Sequence, residues 1–146
     1  MSEEKKIKVT INNKPVEVDE GTTILKAAEK LDIKIPTLCY HPLLEPYAAC
    51  RICMVEVKIK EESDLFTSCN TKVREGMIVE TDSERALKAR KLNIEMLMAR
   101  APAAKKVQEI AKLLGIEKTR FEITDPEEKC ILCGLCVRSC EQIVGA

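Results

Sequence analysis

The stretch Ala49-Cys50-Arg51-Ile52-Cys53-Met54-Val55-Glu56-Val57 joins two thiols at close spacing to the start of an alternating run. Cys53, Val55, Val57 and Ile59 alternate with Met54, Glu56 and Lys58, the period of a half-buried strand. Upstream lies a proline-containing loop from Ile35-Pro36 through His41-Pro42 to Glu45-Pro46, and Cys39 sits in it. Downstream, Leu65-Phe66-Thr67-Ser68-Cys69 reads as a second strand that delivers another thiol at its end. Cys39, Cys50, Cys53 and Cys69 are thus separated by ten, two and fifteen residues. A loop can wrap one side of a planar two-iron cluster while a strand supplies the last of its four thiolates. Ala48-Ala49 keep side chains small where backbone must approach the sulfides. The competing reading is a zinc site built on the Cys50–Cys53 pair.

The segments around this block read as an α+β domain. Ile7-Lys8-Val9-Thr10-Ile11 and Val16-Glu17-Val18 alternate, and Asn12-Asn13 between them favours a hairpin turn. Gly21-Thr22-Thr23 opens a helix with Ile24, Ala27, Ala28 and Leu31 at helical spacing and Thr22 or Thr23 as N-cap. Met77-Ile78-Val79-Glu80 adds a short strand, and the domain is expected to end near Thr81. Asp82 or Ser83 caps a helix running to about Arg100, with Ala89, Leu92, Met96 and Ala99 on its packed face. Met96 and Met98 read as core packing. Pro102 is expected to start a second helix, with Val107, Ile110, Ala111 and Leu114 as its stripe and Gly115 as its stop. The chain is expected to divide into residues 1–81, a helical connector 82–124 and a segment 125–146.

That last segment opens with a turn at Asp125-Pro126 and carries Cys130-Ile-Leu-Cys133-Gly-Leu-Cys136-Val-Arg-Ser-Cys140. Three thiols at two-residue spacing around one compact loop suit three corners of a [4Fe–4S] cubane, and Gly134 permits close backbone approach. Zinc sites more often draw two ligands from each of two separated knuckles.

Composition removes several classes. Basic and acidic residues number 24 each, and this balance argues against a general nucleic-acid binder. A hydrophobic fraction of 45% is too high for intrinsic disorder. No apolar run approaches a membrane span, and Met1-Ser2-Glu3-Glu4-Lys5-Lys6 lacks an apolar signal core, so a cytoplasmic location is expected. Eight cysteines in such a chain argue for metal ligation over disulfides. His41 is the sole histidine, so a two-histidine Rieske site is excluded within one chain, and His41 reads as a loop residue near the first cluster. No glycine-rich phosphate loop occurs, which makes nucleotide or flavin binding by this chain improbable.

Cys39-Tyr-His-Pro, then Ala49-Cys-Arg-Ile-Cys-Met-Val-Glu-Val57, then Ser68-Cys69 with Glu75-Gly76-Met77 resemble a plant-type [2Fe–2S] domain. More closely, the chain is similar to the N-terminal region shared by the NADH dehydrogenase large iron–sulfur subunit, [FeFe] hydrogenases and diaphorase-type subunits of NAD-linked hydrogenases and formate dehydrogenases. The similarity continues through the helix after Thr81 and resumes from Val107 to Cys140. It implies a β-grasp [2Fe–2S] ferredoxin domain, then helices and a half ferredoxin-like [4Fe–4S] segment. It also implies an electron-transfer subunit without a catalytic site of its own. Expected partners are a flavin- and NAD(P)-binding subunit and a catalytic subunit of hydrogenase, formate dehydrogenase or aldehyde oxidoreductase type. The alternatives are a free two-cluster ferredoxin, which would normally be acidic, and a zinc-binding interaction module.

Three features depart from the family. Arg100-Ala-Pro-Ala-Ala-Lys105 stands where the family inserts a His-plus-three-Cys [4Fe–4S] motif, so that cluster is expected to be absent. One run of four cysteines stands where the family has two, and no hydrogen-forming catalytic domain is present, so a complete hydrogenase is not expected. Ala48 occupies a position resembling a family glycine. With one run only, Cys140 either closes its own cluster or reaches a cluster in another polypeptide. Cysteine arithmetic favours the first and loop geometry the second. A tail working at a subunit interface, where a second copy could pair with it, would bury Ile131, Leu132, Leu135 and Ile143 between chains.

Overall fold

The computed structural model describes residues 5–146. The expectation about an export signal rests largely on Met1-Ser2-Glu3-Glu4, which lie outside the described residues. The chain forms two compact units that interleave in sequence: residues 5–35 with Cys53–Leu87, and Pro36–Ile52 with Lys88–Ala146. The loop carrying Cys39 and Cys50 therefore belongs with the helices, while Cys53 and Cys69 belong with the sheet.

The first unit holds β1 (Lys6–Ile11), β2 (Lys14–Asp19), α1 (Ile24–Glu29), β3 (Met54–Ile59), β4 (Glu62–Thr67) and β5 (Ile78–Glu80). The sheet order is β2-β1-β5-β3-β4, with β1 and β5 parallel and the other pairs antiparallel. The α+β expectation holds. Asn12 and Asn13 take φ of 48° and 64°, the left-handed pair that a tight two-residue hairpin needs. Pro15 is tolerated because β2 is an edge strand. Ile7, Val9 and Ile11 on β1 pack into a core with Val18, Ile24, Ala27, Val55, Val57 and Val79. Thr23 caps α1, its Oγ1 accepting from the Lys26 N–H at 3.3 Å.

The β3–β4 pairing differs from expectation at both ends. The strands turn at Lys60-Glu61, with Lys60 at φ 59°, although neither residue is a customary turn former. β4 consequently begins at Glu62 and ends at Thr67, so Cys69 lies in the turn after the strand rather than at its end. Cys53 likewise sits in the turn before β3. Glu56, expected to face outward, is buried: Arg85 Nη1 donates to its Oε1 at 3.0 Å and the Ser63 hydroxyl donates at 2.9 Å.

Continuing from the sheet, α2 (Glu84–Arg100) is capped by Ser83, whose Oγ accepts from the Ala86 N–H at 3.2 Å. Its packed face is not the expected one. Ala86, Arg90 and Ile94 are buried, whereas Leu92 and Met96 are 41% and 45% exposed. A charged residue in the stripe hid it from an apolar reading. Met98 does pack against the helical core, and Met96 does not join it. In the second unit Leu38, Ile52, Ile94, Val107, Ile110 and Ala111 form that core. α3 spans Lys105–Leu113 and starts after Pro102, which lies in the preceding turn and whose carbonyl accepts from Gln108 Nε2 at 2.7 Å. Gly115, at φ 71°, closes α3 as its backbone N–H reaches the Lys112 carbonyl and that of Ile116 the Ala111 carbonyl. The short α4 (Leu135–Ser139) runs into a π-helical turn, Cys140–Val144. No helix of the described residues is long and apolar enough to cross a membrane.

Candidate metal centre

Within the sheet unit, the turns before β3 and after β4 bring Cys53 and Cys69 together. The hairpin register pairs Met54 with Thr67, which places the two turns side by side, and the Ser68 N–H donates to the Cys53 carbonyl at 3.1 Å. Cys53 and Cys69 are 2% and 1% exposed. The Cys69 thiol donates to the Cys53 sulfur and holds its pKa down to about 6, against the opposing cost of burial. The Cys69 and Ser68 backbone N–H groups lower it further.

Within the helical unit, Cys39 and Cys50 form a second pair. The Cys50 thiol donates to the Cys39 sulfur and draws Cys39 down to about 5; the Cys50 and Ala49 N–H groups add to this, and burial opposes it. Cys50 moves up, because it gives its proton to Cys39 and is itself half-buried. Arrays of N–H groups aimed at sulfur favour thiolates, the form that binds metal. The loop reaches this shape through Ala48 and Arg51, at φ of 56° and 54°. Ala48 therefore adopts the left-handed backbone that glycine takes freely, at a cost of roughly 1–2 kcal/mol for an L residue. His41 forms part of the loop's turn, its Nδ1 accepting from the Leu43 N–H at 3.2 Å.

The C-terminal set looks different. Cys130, Cys136 and Cys140 are exposed and Cys133 is half-buried. Cys130 and Cys133 lie in an extended loop, Cys136 is in α4, and Cys140 opens the π-helical turn. Among the described residues, no three His, Cys, Asp or Glu side chains converge on one metal-ion position. The start of this loop is nevertheless fixed. Glu128 Oε1 accepts from the Lys129 and Cys130 N–H groups, each at 2.8 Å, and Oε2 lies 3.5 Å from Arg100 Nη1. Those N–H bonds, first that of Cys130, hold the Glu128 carboxyl below its ordinary value. Leu132 and Gly134 take φ of 56° and 71°. Ile131 is half-buried and packs on the helical core of its own unit. Leu132 and Ile143 are exposed. A cleft of about 210 Å³ is lined by Ala49, Cys50, Asn93, Leu97, Leu132 and Cys133, so members of both cysteine sets border one space.

Two structural residues escaped the sequence reading. Glu128 had no signal beyond its place two residues before Cys130. Arg138 did carry one, a lone basic residue inside the cysteine run, but it is 8% exposed rather than solvated.

Residues 4–84 match the 2Fe-2S iron-sulfur cluster binding domain family. The chain is 35% identical to the NADP-reducing hydrogenase subunit HndD of Solidesulfovibrio fructosivorans, covering 92% of this chain and 28% of that protein. It is 32% identical to the mitochondrial NADH-ubiquinone oxidoreductase 78 kDa subunit of Candida albicans, covering 96% and 23% respectively. It thus spans under a third of the length of either relative. The alignment with the Candida protein runs over 165 positions, so that relative holds extra residues within the matched region. A chain of an NAD+-reducing [NiFe]-hydrogenase in the H2-reduced state superposes with a TM-score of 0.79 at 28% identity, covering 92% of this chain and 65% of that one. The chain belongs to the 2Fe-2S iron-sulfur cluster binding domain family.

Proposed function

We propose that the chain is an electron relay holding a [2Fe–2S] cluster on Cys39, Cys50, Cys53 and Cys69 and a [4Fe–4S] cluster on Cys130, Cys133, Cys136 and Cys140. The observation that carries this reading is the pairing of the first four thiols, Cys39 with Cys50 and Cys53 with Cys69, in which the partner thiol first, and backbone N–H groups after it, hold Cys39 and Cys53 toward thiolate. A two-iron cluster takes two thiolates at each iron, and its sulfurs accept N–H bonds that set the potential. When bound, the clusters would accept and release single electrons.

The chain's own groups do the rest. Cys39, Cys53 and Cys69 are buried, which keeps water from the inner side of the first site. Cys50 and Cys133 border one cleft, which supports a short route between the two sets. In this reading the β-grasp module 1–81 supplies the sheet-borne thiols, the connector 82–124 supports the loop, and 125–146 supplies the second set. The names of the relatives support a place in an NAD(P)-linked oxidoreductase complex. In this reading one partner subunit binds flavin and NAD(P), another is catalytic, and the complex is cytoplasmic. Exposed Leu132, Val137, Ile143 and Val144 support a tail that docks on another subunit or on a second copy of the chain. There Cys140 could serve a neighbour's cluster. Neutral net charge weighs against a free, diffusing ferredoxin.

Anaerobic iron and acid-labile sulfide analysis with EPR of the reduced protein tests the reading: about six irons and two signals are expected. Stoichiometric zinc without a reduced-state signal overturns it. Mass and iron content of the chain and of Cys140→Ser decide the tail. A monomer that holds four irons there and loses them on substitution shows self-ligation.

A further inference from the structure

Arg138 lies between Cys136 and Cys140, yet its guanidinium points away from solvent. Nη2 donates to the Cys39 carbonyl at 2.7 Å, and Nη1 donates to the Glu45 carbonyl at 2.7 Å. The guanidinium carbon lies 4.8 Å from the centre of the Tyr47 ring, a cation–π stack. A Cβ at Gly134 would come within 3.7 Å of Arg138 Nε and 3.8 Å of Tyr47 Cε1, so the cysteine loop runs directly beside this stack. Gln142, one turn further on, accepts from the Glu45 N–H at 2.8 Å. The second cysteine run is thereby clamped to the loop that carries Cys39. Both of Arg138's acceptors are uncharged carbonyls, which satisfy the donors without cancelling the charge.

We propose that Arg138 is a positioning residue that makes the second cysteine run part of the first site, fixing the Cys39 backbone and placing a buried positive charge beside the cluster bound there. The inference rests on the two-iron reading of Cys39, Cys50, Cys53 and Cys69. A reduced cluster carries one more negative charge than an oxidised one. A fixed cation in a poorly solvated position favours the reduced form and raises the potential. Lysine keeps the charge but lacks the planar fork that spans two carbonyls.

The test uses the full chain and two readouts. The first is the midpoint potential of the two-iron EPR signal in wild type, Arg138→Gln and Arg138→Lys, with Lys118→Gln as a control that removes one exposed charge from the same unit. The midpoint is expected to fall in Arg138→Gln, to lie between the two in Arg138→Lys, and to stay at the wild-type value in Lys118→Gln. The second is hydrogen exchange of the Glu45 amide in the metal-free chain, expected to quicken several-fold in both Arg138 variants as the clamp opens. An unmoved or raised midpoint in Arg138→Gln overturns the proposal. If that variant does not fold, Arg138→Lys decides alone: wild-type potential with wild-type Glu45 exchange overturns it. A wild-type chain without a two-iron signal overturns the earlier reading instead, and the exchange measurement still decides whether the clamp exists.

Discussion

The two cysteine sets share a chemistry but not a state of preparation. In the first, sheet turns and a helix-supported loop bury three of four thiols and pair all of them through the polypeptide alone. In the second, three of four thiols face solvent and the fourth is half-buried. The contrast follows from what surrounds each set. Cys53 and Cys69 inherit their positions from a paired hairpin, and Cys39 and Cys50 from a loop resting on Leu38 and Ile52 in the helical core. The second run has Glu128 at its start and Arg138 near its end, with exposed apolar residues between. The fold pairs the first four thiols, whereas it holds the second run only at its margins.

The sharpest way to break the comparison is Cys53→Ser, which should abolish the two-iron EPR signal and leave the four-iron signal largely intact. Loss of both would show that the sets assemble cooperatively. In the metal-free chain, iodoacetamide followed by mass spectrometry should label Cys130, Cys136 and Cys140 at least about tenfold faster than Cys39, Cys53 and Cys69, because access outweighs the lowered pKa values of Cys39 and Cys53. Labelling in the reverse order would mean that the first site opens readily. Ile94→Ala removes a fully buried side chain beneath the Cys39 loop. It should cost about 2–5 kcal/mol in urea unfolding. The smallest expected effect has the opposite sign. Ala48→Gly relieves a left-handed backbone and should stabilise the chain by about 0.5–1 kcal/mol once the greater freedom of unfolded glycine is subtracted.

Much of this organisation was legible in the sequence, for identifiable reasons. Alternation located β1 and β3, Asn12-Asn13 the first turn, and Gly115 the end of α3, because each signal is local. Cysteine spacing picked out both sets of thiols, and the fold pairs the members of the first. What was missed depended on partners distant in the chain. Glu56 looked solvent-facing until Arg85 and Ser63 were brought to it. The α2 stripe was misplaced because Arg90 is buried in it, and the apolar Leu92 and Met96 took its place in the reading. Pro102 was a plausible helix start, but the helix begins at Lys105. Arg138 could be recognised only once the Cys39 and Glu45 carbonyls were in view.

The clamp at Arg138 also bears on how the protein is made. Its acceptor at Cys39 lies 99 residues earlier in the chain. A growing polypeptide must therefore expose Cys39 and Cys50 long before the segment that secures their loop has been synthesised. The sheet-borne thiols can meet as soon as β3 and β4 pair, and the loop-borne ones once the helical core under Leu38 and Ile52 has formed, with the Arg138 bonds added last. Contacts of such long sequence separation also form late in folding. In the proposed two-iron reading, iron delivered to a shorter nascent chain would meet a Cys39 loop not yet clamped, which places stable loading of that centre after the stretch around Arg138 has emerged.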